Sequence, residues 1–172
     1  MLKNYYFTSH EITPLTMAVI SERDENGNQT ITRVLEEDAE YVLNKPPTKI
    51  IDEACRFFGV SLKGRQDGTK DISGITHKAP ISIEPSSGMY FFPTTSPSSP
   101  NCSWIAHSHI DKVSRAGKQT EITFKNGRKI VLDISYGSML NQLQRTAQYR
   151  YLLDNRIKFL HQHLPADLFP EP

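Results

Sequence analysis

From Thr120 to Ile134 the chain alternates apolar and polar side chains on both sides of a two-residue turn signal. Thr120, Ile122 and Phe124 alternate with Glu121, Thr123 and Lys125; Asn126-Gly127 follows, and Ile130, Leu132 and Ile134 resume the period. A period of two sends successive side chains to opposite faces of a sheet, so this pattern demands a strand pair with one covered face. Asn-Gly can supply the two positive-φ residues of a type I′ turn, whose twist matches the flanking strands. The segment therefore reads as a β-hairpin with a basic tip: Lys125, Arg128 and Lys129.

Other elements arrange themselves around that hairpin. Ser135 is placed to N-cap a helix running to about Gln162, with Met139, Leu143, Leu152, Leu153 and Ile157 among its apolar positions. Met17 to Ile20 and Thr30 to Leu35 read as a second hairpin around Asp24-Glu25-Asn26-Gly27-Asn28, and Tyr41-Val42-Leu43 as a short strand. Pro46-Pro47 opens a helix in which Ile50, Ile51, Ala54, Phe57 and Phe58 share one face, and Gly59 closes it. From Ser61 to Ser73 the chain is polar, with Gly64, Gly68 and Gly74 in or beside it, and this predicts a loop or flexible ribbon presenting Lys63, Arg65 and Lys70. Ile81-Ser82-Ile83 and Met89 to Phe92 read as paired strands, and Pro93 to Asn101 as an exposed extended loop. The expected architecture is α+β: a mostly antiparallel β-sheet with a central short helix and a long C-terminal helix, one domain over residues 1–163 and a tail over 164–172.

The formal charge of +1 conceals an asymmetry. Residues 1–44 hold three basic residues against eight acidic, net −5, whereas residues 45–163 hold seventeen against nine, net +8. The later part can face a polyanion while the acidic segment, residues 22–40, faces elsewhere. No apolar run approaches the ~18 residues of a membrane span, and the first residues lack a signal-peptide pattern, so a cytoplasmic protein with no membrane partner is expected. Cys55 and Cys102 read as buried free thiols, with a disulfide between them the alternative that counting leaves open.

Several chemistries lack their residues. Gly59 and Gly64 have the separation of a phosphate-loop pair, but Arg65-Gln66 replaces Lys-Ser/Thr and the segment follows a helix, which argues against nucleotide binding. His107 and His109, expected on one face of a strand near Cys102, fall short of a zinc ligand set, so no metal or other cofactor is expected. Cys102, His107 and Asp111 could be written as a hydrolase constellation, yet three residue types in one neighbourhood are not a geometry, and no catalytic residue is assigned. Tyr90, Phe91, Phe92 and Trp104 suit a sheet core better than a base-stacking surface.

One string carries more than its chemistry. It runs Cys55-Arg56-Phe57-Phe58-Gly59, Lys63-Gly64-Arg65-Gln66-Asp67-Gly68-Thr69-Lys70, Ile75-Thr76-His77-Lys78-Ala79-Pro80, Tyr90-Phe91-Phe92-Pro93 and Cys102-Ser103-Trp104-Ile105-Ala106-His107-Ser108-His109. With Ile134-Ser135-Tyr136 and Arg145-Thr146-Ala147, it resembles the ComK family of bacterial competence transcription factors. The resemblance implies a non-enzymatic activator that binds AT-rich promoter boxes in double-stranded DNA, chiefly through the minor groove. It further implies a homo-oligomer, dimer or dimer of dimers, that assists RNA polymerase. Charge and placement nominate Lys63, Arg65, Lys70, Lys78, Lys125, Arg128, Lys129 and Arg145 as DNA contacts. In that family a hydrophobic-Tyr-Pro-Lys tail is read by a Clp protease adaptor; here Leu168-Phe169-Pro170-Glu171 carries Phe and Glu at the Tyr and Lys positions. A regulator that titrates a partner protein through its acidic segment is the other expectation.

Overall fold

The structure, a computed structural model, describes residues 12–164; the N-terminal segment and the Leu168-Phe169-Pro170-Glu171 tail motif lie outside the described residues. Strands β1 (Thr16–Arg23), β2 (Thr30–Glu36) and β3 (Glu40–Leu43) come first, followed by helices α1 (Pro47–Phe57) and α2 (Leu62–Ser73). Then come β4 (Ile81–Ser82), β5 (Tyr90–Pro93), β6 (Trp104–Ala106), β7 (Ile110–Ala116), β8 (Gln119–Phe124), β9 (Lys129–Leu132) and helix α3 (Tyr136–Gln162). The fold is α+β, as expected, with three α-helices among the described residues instead of two.

The strands form two antiparallel sheets, one in the order β3-β2-β1-β6-β5-β4 and the other β7-β8-β9. Helices α1 and α2 cover one face of the first sheet, where Ile50, Ile51, Ala54 and Cys55 pack with Val19, Phe91 and Trp104. Its other face meets the second sheet and α3, burying Met17, Leu35, Phe92 and Ile105 against Ile122, Phe124 and Met139. A central strand covered on both faces has no polar side to alternate with. That is why Tyr90-Phe91-Phe92 and Trp104-Ile105-Ala106 are continuous apolar runs, every one of them buried. A third cluster, Ile75, Ala79, Tyr90 and Tyr149 with Ile72 and Leu153, joins α2 to α3.

Three local expectations need correction. Residues 62–73 are helix, not loop: Ser61 Oγ accepts from the Gly64 amide at 3.0 Å, and Gly74 closes the helix in the left-handed region at φ +76°. The cap signals outweigh the intrinsic cost of two helical glycines, about 1 kcal/mol each, because Leu62 and Thr69 are buried beneath the helix. The β8–β9 turn is a three-residue loop in which only Gly127 takes positive φ, +88°. There Phe124 N donates to Arg128 O and Gly127 N to Phe124 O, and the Asn126 side chain accepts from the Arg128 amide. His107 and His109 do not share a strand; residues His107–His109 form a 3-10 turn linking β6 of the first sheet to β7 of the second. The Ser135 cap of α3, accepting from Ser138 N at 3.2 Å, and the Gln162 end are as expected.

Candidate functional site

Helix α3 organises the surface where positive charge collects. Met139, Gln142, Thr146 and Tyr149 form its buried stripe. At 3.6 residues per turn, Ser138, Asn141 and Arg145 fall to one side of that stripe and Leu143 and Arg150 to the other. The back of the helix is exposed and uncharged: Gln144, Ala147, Gln148 and Tyr151. From Tyr136 to Leu153 the chain has no carboxylate, so this stretch of the helix sets no anionic side chain against a polyanion.

On the first flank, His77, Lys78, Thr94, Asn141 and Arg145 line a recess of about 200 Å³. His77 and Lys78 also border a neighbouring recess of about 360 Å³ that takes in Lys63, Gln66 and Lys70. The bend at residues 77–78 is locked from α3. Gln142 Nε2 donates to Lys78 O at 3.0 Å and to Pro93 O at 2.7 Å, while Arg145 donates to Gln142 Oε1 at 2.7 Å and to His77 O. Lys78 sits at φ +48°, a conformation that a non-glycine residue keeps only when its surroundings impose it. Gln142 is the buried group that imposes it, leaving the Lys78 side chain exposed. Burial lowers the pKa of Arg145, whose guanidinium holds this network together instead of standing free on the helix surface.

The second flank opens between α3 and β7, where His107, Ser108, Lys112, Lys125 and Arg150 line a pocket of about 390 Å³. Further along the same seam Arg115 stacks over Tyr136, 4.6 Å from the ring centre. Arg115 and Arg150 thus mark a cationic seam beside about 14 helical residues, or roughly 20 Å at 1.5 Å rise per residue.

The eight nominated cations divide accordingly. Lys63, Lys70, Lys78 and Arg145 converge on the first flank, and Lys125 joins the second. Lys63 is exposed and 3.3 Å from Asp67. Arg65 turns inward, donating from Nη2 to Ile83 O at 3.2 Å with Nε buried and unpartnered. Arg128 is held by Glu40 at 2.5 Å, and Lys129 lies 3.7 Å from Glu121. Sequence reasoning missed Lys112, Arg115 and Arg150. The first two precede the hairpin on β7, where strand register alone brings them beside α3, and the helix period separated Arg150 from Arg145 without showing what it faces.

The acidic segment is largely engaged within the molecule. Glu22 and Glu40 pair with Arg33 at 2.8 and 3.4 Å. Glu37 lies 3.5 Å from His109, and its carbonyl accepts from Asn126 at 2.9 Å. The hydrogen bond from Arg128 holds the Glu40 carboxyl below the usual carboxylate range. These contacts dock the hairpin tip onto the β2–β3 turn.

Cys55 and Cys102 are both free and buried. Burial pushes the Cys55 thiol up to about 12 and raises Cys102 as well, the opposite of what a nucleophilic thiolate needs. Cys102 packs with Trp104 in the helix-side core, while His107 lines the α3–β7 pocket. Among the described residues no three His, Cys, Asp or Glu side chains converge as metal ligands, and no helix is long and apolar enough to cross a membrane.

Residues 7–158 match the family model described as ComK protein. The chain belongs to the ComK family. It is 39% identical over 150 residues to the competence transcription factor of Bacillus subtilis (strain 168), across 87% of this chain and 77% of that protein. No solved structure matches it. The match to the ComK model spans β1 to α3 as far as residue 158, so both cationic flanks and the helix between them lie inside it.

Proposed function

We propose that this protein is a transcriptional regulator of competence that binds duplex DNA with the exposed face of α3 and the two cation-lined flanks beside it. The observation that carries the reading is the run from Tyr136 to Leu153, which lacks any carboxylate and has Lys and Arg gathered on both sides. Phosphate contacts need cations in register along a surface, and exposed Gln and Asn side chains can hydrogen-bond to phosphate, sugar or base edges. The competence transcription factor of Bacillus subtilis supplies the biological role by similarity.

Family resemblance supports AT-rich promoter boxes read through the minor groove, recruitment or assistance of RNA polymerase, and a homo-oligomer. A helix with its side chains is about 10–12 Å across and a minor groove about 6 Å wide, so α3 cannot enter that groove. In the proposed complex α3 lies over the backbone and long Lys and Arg side chains reach in, drawn by the negative potential of narrow A-tracts. Phe159 and Leu160 are exposed near the C-terminal end of α3, apolar surface suited to a second copy.

Footprinting on AT-rich promoter DNA beside a scrambled control tests the reading. Protection confined to AT-rich boxes is expected, retained when I·C pairs replace A·T because the guanine amino group is then missing. No protection on either DNA contradicts DNA binding; loss of protection on I·C substitution contradicts minor-groove readout alone.

A further inference from the structure

His107 stands where the chain leaves one sheet for the other. Buried Ala106 ends β6 and Ile110 begins β7, so the intervening 3-10 turn delivers the imidazole to the side of α3. The ring is half-buried and its Nδ1 sealed from solvent, with the Leu143 backbone the one hydrogen-bonding neighbour that favours the imidazolium. Charged groups surround it from three elements: Arg150 on α3, Lys125 after β8, and Lys112 with Asp111 on β7. Arg150 is steadied from behind, 3.8 Å from Asp154 and 5.0 Å from the centre of the Tyr90 ring, whose hydroxyl donates to that same Asp154 at 2.7 Å. Asp111 is the one carboxylate among the lining residues, against three cations. Lys112 and Lys125 are both exposed, so the excess charge faces solvent in a concave wall, an arrangement that concentrates anions.

We propose that the pocket lined by His107, Ser108, Lys112, Lys125 and Arg150 binds a phosphate group, and that His107 takes up a proton when it does. The phosphate is one of the DNA backbone, which rests on the DNA-binding reading above; a free phosphate ester has the same chemistry and is the other source. In the empty pocket burial, then Arg150 and Lys125, keep the imidazole below its ordinary pKa. A phosphate offsets both cations and favours the imidazolium, so the bound form has the higher pKa. Proton uptake on binding means that affinity rises as pH falls through the bound-state pKa.

The test follows the His107 ring proton by NMR through a pH titration of the full chain: alone, with inorganic phosphate, and with an AT-rich duplex whose binding is measured in parallel by anisotropy. The duplex is expected to raise the His107 midpoint. Lys125→Gln, at an exposed loop position, is expected to raise the midpoint of the free protein and to shrink the rise on adding duplex, while Arg150→Gln does the same from the helix side. A duplex that binds with the His107 midpoint unmoved overturns the pocket and leaves the DNA-binding reading standing. A midpoint raised by inorganic phosphate with no duplex binding overturns the DNA-binding reading and keeps the pocket. A midpoint that responds to neither overturns the proposal.

Discussion

His107 is a histidine whose surroundings oppose its charged form. Its folded pKa lies below the ordinary value of about 6.5, burial being the larger cause and Arg150 and Lys125 the next. The unfolded chain therefore binds more protons than the native one in the window just below that value. The stability this group contributes is present above about pH 6.5 and is lost as pH falls toward its folded pKa. Urea denaturation at stepped pH is expected to show wild type weakening more steeply below pH 6.5 than His107→Gln, and parallel curves contradict the assignment. At this scale charge was legible in the sequence but partnership was not. Arg65 and Arg128 looked as available as Lys70, yet one turns under α2 toward Ile83 and the other is clasped by Glu40 from 88 residues away. No local pattern reports such a contact.

Among the elements, α2 shows how a short polar helix hides. Its buried residues are Leu62 and Thr69, too few to give a strong apolar stripe, and two internal glycines read as loop punctuation. The legible signal was at its ends, Ser61 as cap and Gly74 as terminator. Gly68 has open space where a Cβ would point, whereas a Cβ on Gly64 would meet Val60 Cγ2 at 2.6 Å. Gly68→Ala is thus expected to stabilise the protein by about 0.5–1 kcal/mol through helix propensity, and Gly64→Ala to stabilise less or destabilise. Thermal denaturation decides, and equal, negligible shifts contradict a helix at 62–73. The hairpin β8–β9 was legible from alternation alone, although its loop holds three residues because Asn126 uses its side chain to accept from Arg128 N instead of taking positive φ. Helix α3 was readable end to end from its cap and apolar positions. What it faces came only from packing, since two sheets and a helix must assemble before Lys112, Lys125 and Arg150 meet.

Across the whole molecule, the charge asymmetry of the sequence becomes a division of labour. The acidic N-terminal part braces Arg33, Arg128 and His109, and the later cations gather along both sides of a helix that carries no carboxylate from Tyr136 to Leu153. That arrangement distinguishes cations facing solvent from cations engaged internally, and the salt dependence of DNA affinity counts the difference. Each phosphate neutralised contributes about 0.9 to the slope of log K against log salt. The most direct test is fluorescence anisotropy of an AT-rich duplex across a salt series for three proteins: wild type, Lys78→Ala with Lys112→Ala, and Arg65→Ala with Arg128→Ala. The first pair, one cation from each flank of α3, is expected to lower the slope by about 2. The second pair is expected to leave it unchanged. A slope that falls for Arg65 with Arg128 and holds for Lys78 with Lys112 contradicts a DNA-binding surface built around α3.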